Sequence, residues 1–393
     1  MTLPEFKIAE FILLPELKIL QCGGDGLWLC EKVSSLEVCP RCASPSKVIY
    51  DHRWINVRDE PVRNRHIRLK ILKRRFNCKT CRKPFTEPVP GILPGRRTTQ
   101  RFRLAVVEAC DKYTNLSQVR RDFRVSSYFV YQSHYERLRL NLREKEGAAW
   151  PSAIGMDEHA YGKNKELRRT QFVTTIVNHN KGKMLEAVIG KTQAELEAAT
   201  AHIPGRENVL WATLDMCDPY RNYIHSFFPN AKLVADKFHV LRLLTPALLK
   251  KRKEITGNRA DLRAKKLLLM SAKNLTYSER LALDQFLRRY PDMHELYGWK
   301  ERLHSFYRIL GYGRAYEAYK KLVDDMSVSF LPEIRKLRKT LLKWKEEVLN
   351  YFSSRLTNAR LEGFNCKASV LKRRAYGYRN PNNYRIQLLN ACS

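Results

Sequence analysis

Three acids stand where they could hold divalent cations against a phosphate ester: Asp157, Asp215 and Glu362. Asp157 closes the apolar run A-I-G-M-D and Asp215 closes V-L-W-A-T-L-D, so each is expected at the end of a β-strand. If those strands are neighbours, the two carboxylates emerge side by side, and hard oxygen ligands grouped at one sheet edge suit magnesium or manganese. The third candidate, Glu362, lies in T-N-A-R-L-E-G-F-N on a late helix, with Asn358 and Asn365 on the same helical face. Two ions about 4 Å apart could activate a nucleophile and stabilise a departing oxygen with no covalent protein nucleophile. A lone acid at a strand end is more often a cap or a surface charge, so the weight rests on the ordered trio.

Neighbouring acids compete for these roles. Asp218 precedes Pro219 at a helix start, the ordinary position of a cap, which favours Asp215. Glu158 would point away from Asp157 if the strand continues, making it a surface group or one that supports the ligands from behind. Asp236 and His239, in V-A-D-K-F-H-V, are either a cap and a buried histidine or a pair standing behind the metal ligands.

A second metal chemistry is written in cysteine. Cys39-Pro40-Arg41-Cys42 and Cys78-Lys79-Thr80-Cys81 are two C-x2-C knuckles, and four thiolates so paired can close a structural zinc site. The interval between them exceeds that of a compact ribbon, so it should form strands of its own, one over residues 66–72. Ten Lys or Arg against three acids fill this interval, Arg74 and Arg75 among them, which suits DNA phosphates as well as a solvated face. Cys22 and Cys30 could be further ligands, but with seven residues between them they are more often ordinary buried cysteines.

The elements that would position these residues follow from periodicity. P-V-P-G-I-L-P-G, residues 88–95, is too dense in turn formers for helix or strand and reads as a linker. From Phe102 to about Glu144 three helices fit, broken at residues 113–115 and 125–127. The second pair resembles a helix-turn-helix whose last helix would present Tyr128, Gln132, Ser133 and Arg137. Short β-rich runs follow at 153–157, 170–177, 183–189, 209–215 and 231–236, with helices near 193–202 and 219–227. That order is the order of an RNase H-like α/β core. Residues 239–352 read as all-helical and interrupt it before a final helix near 357–374.

The charge balance bounds the partners. Of 393 residues, 73 are Lys or Arg and 40 Asp or Glu, a surplus of 33 positive charges that draws the chain toward polyanions, nucleic acid first. The first twenty residues lack a signal-peptide pattern and are expected to belong to the folded protein. No run reaches the roughly 18 apolar residues of a membrane helix, so no membrane partner and a cytoplasmic location are expected.

Longer blocks carry a family resemblance: C-P-R-C, R-D-E-P-V, R-R-F-N-C-K-T-C, G-M-D-E-H-A, L-D-M-C-D-P-Y, F-P-N-A-K-L-V-A-D-K-F-H-V and N-A-R-L-E-G-F-N-C-K-A-S-V-L-K-R-R-A-Y-G-Y-R-N. Through them nearly the whole chain resembles the bacterial DDE transposases of the ISL-three insertion-sequence family. The resemblance implies Asp157, Asp215 and Glu362 as a magnesium-binding triad, Asp236 with His239 as a D-x-x-H element, and residues 39–81 as a zinc finger. It also implies binding of terminal inverted repeats, cleavage at element ends and joining of 3′ hydroxyls to target DNA, by a dimer associated with the nucleoid. Past Glu362 the chain has no acid, and Lys372, Arg373 and Arg374 could track phosphates or form a solvated face.

The expected organisation is multidomain α+β: a zinc-binding domain with linker over 1–95, a helix-turn-helix over 96–148, and the first part of an RNase H-like core over 149–238. A helical insertion over 239–352 and the final core helix with a basic C-terminus over 353–393 complete it. Two alternatives remain, a non-catalytic regulator derived from a transposase and an RNase H-like nuclease or resolvase.

Overall fold

The computed structural model describes residues 13–113, 115–143, 147–163, 170–257 and 262–393; the first twelve residues, expected in the folded protein, lie outside the described ones. The chain divides into two compact units, Met1–Leu140 and Asn141–Ser393.

In the first unit, strands β1 (Leu17–Cys22), β2 (Leu27–Lys32), β5 (Ile49–Val62) and β6 (Arg65–Asn77) form a sheet in the order β1-β2-β6-β5, with β7 (Pro84–Thr86) added to β6. A short pair, β3 (Glu37–Val38) and β4 (Pro45–Ser46), precedes β5. The strand expected at 66–72 is nearly twice as long. The strand continues through Asn77, with Ile67, Leu69 and Ile71 buried and Arg68 and Lys70 between them outward; past Ile71 the alternation breaks, and Phe76 is the next buried residue. Arg63 and Asn64 both take positive φ, 49° and 64°, as a two-residue hairpin turn between right-twisted strands demands. The segment 88–95 has no helix or strand, yet it is more than a tether: Val89 is buried and packs with Leu14 and the sheet core. Three helices follow, α1 (Gln100–Lys112), α2 (Leu116–Asp122) and α3 (Ser127–Arg143), built around Phe102, Val106, Val119 and Val130. Thr99 and Asn115 cap the first two with side-chain oxygens.

The second unit is mixed α/β. Strands β8 (Ala153–Lys163), β9 (Thr170–Asn178), β10 (Lys183–Ile189), β11 (Trp211–Leu214) and β12 (Lys232–Ala235) lie in the order β10-β9-β8-β11-β12. β8, β11 and β12 run parallel, and β9 is antiparallel to both its neighbours. Helices α4 (Gln193–Thr200) and α5 (Asp218–Phe227) connect the later strands and share one apolar core with Ile154, Met156, Ile176 and Leu214. Eight helices occupy 237–354 with no strand among the described residues: α6 (Lys237–Leu241), α7 (Thr245–Thr256), α8 (Leu262–Leu269), α9 (Tyr277–Arg288), α10 (Pro291–Phe306), α11 (Tyr312–Asp325), α12 (Pro332–Lys343) and α13 (Lys345–Ser354). The insertion extends that core rather than forming its own, through residues such as Leu248, Leu303, Tyr307 and Phe352.

Helix α14 (Ala359–Arg374) returns to the opposite face of the sheet. There Leu361, Phe364 and Ala368 pack on Val173, Val177, Met184 and Ala187. The basic C-terminus carries a further helix unanticipated in the sequence reading, α15 (Pro381–Cys392), capped by the Asn380 side chain with Pro381 in its first turn. Tyr384, Leu388 and Leu389 anchor it in the same core. The Asn-Pro step and the apolar spacing after it were the signal for this helix.

Candidate active site

Strand register creates the acidic cluster. β11 pairs with β8 as Trp211↔Ala153, Ala212↔Ile154 and Thr213↔Gly155, and with β12 as far as Leu214↔Ala235. Carried two steps past the last β8 pair and one past the last β12 pair, that register sets Asp157, Asp215 and Asp236 in a row across three parallel strands. Asp157 does not end its strand, because β8 continues to Lys163 paired with β9. It lies just beyond the point where the β11 pairing stops, which opens its side chain to the cluster.

Two overlapping groups result, Asp157 with Glu158 and Asp215, and Asp215 with Asp236 and His239, the ligand atoms in each lying within 4.8 Å of one another. Asp157 is 8% exposed; its Oδ1 accepts from the Glu158 N–H at 2.8 Å and its Oδ2 from Asn365 Nδ2 at 2.7 Å. Burial, and then the negative charge of Asp215, push its pKa up to about 7. His239 Nδ1 lies 2.8 Å from Asp215 Oδ1 and 3.1 Å from Asp236 Oδ2. Those two carboxylates raise the His239 pKa to about 10. Burial acts to raise Asp236, but hydrogen bonds from the His239 ring and the Asn358 N–H outweigh it and hold the group below the usual carboxylate range. Asp236 also caps α6 through the His239 N–H, so the two readings of this pair coexist in one geometry.

Four carboxylates thus crowd one edge with a single histidine among them, and Glu158 Oε2 is buried without a hydrogen-bond partner. The carboxylate oxygens of this set fit a hard divalent cation. One Glu158 oxygen lies within 4.8 Å of ligand atoms of Asp157 and Asp215, while its Oε1 is 3.8 Å from Lys191. Asp218 stays outside. It is the first residue of α5 and ion-pairs with Lys343 at 2.7 Å, while the N-cap is Cys217 and no side chain caps the helix.

Glu362 is not in either group. Its side chain is half exposed and faces Arg242 at 3.5 Å. The asparagines flanking it bind its helix to the edge. Asn358, 2% exposed, donates from Nδ2 to the Met156 carbonyl at 3.0 Å and from its backbone N–H to Asp236 Oδ1 at 2.9 Å, and its Oδ1 accepts from the Thr213 hydroxyl. Asn365 holds Asp157 itself. Gly155 allows this close approach: a Cβ there would lie 2.8 Å from Leu361 and 2.7 Å from His179. Helical spacing puts both asparagines on the Glu362 face but names no partner for them. Asn358→Ala is expected to lower stability by about 2–4 kcal/mol, because the partners of its two buried side-chain hydrogen bonds, to the Met156 carbonyl and from the Thr213 hydroxyl, are left unpaired; chemical denaturation measures it, and a change under 0.5 kcal/mol would refute the role.

The four cysteines also meet. Cys39, Cys42, Cys78 and Cys81 place their sulfurs within 4.8 Å of one another, with Cys39–Cys81 at 3.7 Å and Cys42–Cys78 at 3.4 Å. A tetrahedral zinc with bonds of about 2.3 Å separates its sulfurs by roughly 3.8 Å. The two knuckles share one construction. Cys39 N–H donates to the Ser44 carbonyl and Cys78 N–H to the Lys83 carbonyl, with Ala43 and Arg82 at positive φ. Hydrogen bonds from Ser44 draw the Cys42 thiol down to about 6, favouring thiolate. Cys22 is exposed, Cys30 is buried, and neither joins the cluster.

The basic candidates are disposed unequally. Arg74 is held by fully buried Glu87 at 2.7 Å and by the Ser34 carbonyl, so its guanidinium is committed inside the unit. Arg75 is exposed and paired with Asp51. On α3, Arg137 is exposed, Gln132 is half-buried, and Ser133, expected on the accessible side, is 4% exposed because it faces the helical core. On α14, Arg373 and Arg374 are exposed, whereas Lys372 donates to the Ala160 carbonyl.

A transposase family model, that of the ISL3 (ISL-three) elements, matches residues 154–388, more than half of the chain. The chain belongs to the ISL3 family of transposases. A second model, the zinc-finger of transposase IS204/IS1001/IS1096/IS1165, matches residues 35–81 and so contains all four clustered cysteines. Over 358 residues, 87% of this chain and 86% of the other, the protein is 23% identical to the transposase for insertion sequence element IS1001 of Bordetella parapertussis. In this transposase the matched region runs from β8 to α15 and spans the helical insertion. No helix among the described residues is long and apolar enough to cross a membrane.

A proton held by Asp157 must leave before the carboxylate can bind a cation. Manganese affinity of this transposase is therefore expected to be roughly tenfold weaker at pH 6 than at pH 8. His239 remains charged across that window and does not contribute. Equal affinities in calorimetric titrations at the two pH values would sink this expectation.

Proposed function

We propose that the chain cleaves the ends of an insertion sequence and joins their 3′ hydroxyls to target DNA by two-metal DDE chemistry. The observation carrying the reading is the row of Asp157, Asp215 and Asp236 across the edge of β8, β11 and β12, where four carboxylates gather. The strand order, with β9 antiparallel among parallel neighbours, supports an RNase H-like core. The three helices α1–α3 support a helix-turn-helix reader of the inverted repeats, and the four-thiol cluster supports structural zinc. By this reading Arg75, Gln132, Arg137, Lys372, Arg373 and Arg374 face DNA, and Arg74 shapes the zinc module from within. A homodimer would hold two ends together, in the cytoplasm and associated with the nucleoid.

Asp157 and Asp215 would hold the divalent ions, with Glu362 added when it exchanges Arg242 for them. Such ions would supply a deprotonated nucleophile and neutralise charge at phosphorus. Asn365 orients Asp157, Asn358 fixes α14 on the strands, and His239 with Asp236 orients Asp215.

The test uses labelled duplexes bearing the element's inverted repeat, with magnesium or manganese. Joined products support the transposase; hydrolysed ends without joining support a plain nuclease, and no cleavage supports the regulator. Glu362→Gln is expected to cost about a hundredfold or more in joining, whereas Glu158→Gln costs less than tenfold. The reverse order would make Glu158 the third ligand.

A further inference from the structure

The face of α14 turned away from the acids borders an open cavity of about 490 Å³ against the turn between β9 and β10. Lys181 and Gly182 of the turn, with Arg360, Gly363 and Lys367 of α14, line it over Phe364. The lining contains three cations and no acid. Two features hold it open and positive. Arg360 lies across the turn, its Nη1 donating to the His179 carbonyl at 2.8 Å, which Gly182 permits because a Cβ there would stand 2.7 Å from that nitrogen. A Cβ on Gly363 would meet nothing within 4 Å, so a larger side chain would fill space the glycine leaves empty. Asn178 Oδ1 accepts from the N–H groups of Asn180 and Lys181 and sets the turn that brings Lys181 to the rim.

We infer that this cavity binds the sugar–phosphate backbone of the DNA on which the acidic edge acts. The inference rests on DNA being the substrate, as proposed above. Among the described residues the three cations of the lining have no carboxylate beside them, and Arg360 and Lys367 donate hydrogen bonds only to the His179 and Ala391 carbonyls, at 2.8 and 3.4 Å; a phosphodiester offers the anion that Arg and Lys donors lack there. Its distance from the acids is set by the sheet. Asp157 pairs with Thr175 and Ile154 with Asn178, so the turn begins three residues, about 10 Å, along the strand from Asp157. At ~3.4 Å of axial rise per phosphate, that separation spans at most about three phosphates of one strand, close enough to fix the register of the cleaved strand.

The test compares wild type with Lys181→Glu/Lys367→Glu and with a control of equal charge change on α12, Lys336→Glu/Lys339→Glu, all full-length. Each is titrated without divalent cations against a duplex carrying an element end, at several salt concentrations. The cavity variant should lose about tenfold in affinity and lower the log–log salt slope by about 2, since each lost phosphate contact contributes ~0.9. Single methylphosphonate substitutions should weaken wild-type binding at one position within about three phosphates of the cleaved bond and leave the cavity variant insensitive there. Equal melting temperatures confirm folding. An unchanged slope in the cavity variant, an equal loss in the control, or no methylphosphonate effect overturns the inference while wild type still binds and joins DNA. A wild type that does not bind DNA overturns the functional reading and this inference with it.

Discussion

Asp215→Asn is expected to reduce DNA cleavage and joining by about a thousandfold or more while DNA binding without metal stays equal to wild type or tightens. Several kcal/mol of transition-state stabilisation ride on ion placement, and each ~1.4 kcal/mol is tenfold in rate. The two effects separate because Asp215 has two electrostatic roles. It is a candidate ligand, and its charge helps push Asp157 up to about 7. Removing it deletes the ligand but also relieves repulsion within the cluster and toward phosphate. Asparagine keeps an oxygen for His239, which lies 2.8 Å from Asp215, so the fold should hold. Single-turnover cleavage of labelled ends, beside a binding isotherm in chelator, measures both. Cleavage within tenfold of wild type would remove Asp215 from the metal site.

Cys78→Ser is expected to drop bound zinc from about one per chain to near zero and to unfold the first unit locally, leaving the second intact. A structural zinc site contributes roughly 10–16 kcal/mol of binding free energy in small modules, and three thiolates retain little of it. Cys78 is 1% exposed and packs with Cys39, Phe76 and Phe85, so failure of the site loosens the end of β6 as well. Metal analysis and two-transition thermal melts provide the readout, and binding to element ends should fall in parallel. A full metal complement in the serine variant would exclude a four-thiolate site.

Legibility differs from residue to residue for physical reasons. The strands of the second unit were readable because apolar runs bounded by turn formers are local signals, and the two knuckles because C-x2-C spacing is itself the ligand geometry. Ser133 was misplaced because helical periodicity gives a face but not what covers it. Arg74 read as a surface cation until Glu87, thirteen residues on, was found buried against it.

The sequence alone determined the chain's surplus of positive charge, the four thiols, the order of strands and helices between residues 153 and 236 and, through its long motif blocks, the family. Those are properties of composition, short spacing and local periodicity, which need no neighbour across the fold. Only the tertiary structure decided that Asp157, Asp215 and Asp236 share a register, that Asn358 fastens α14 to three strands, and that Glu362 faces Arg242. The reason is distance along the chain: hydrogen bonds between residues 122 to 202 positions apart depend on how sheets and helices pack, and no local pattern encodes that.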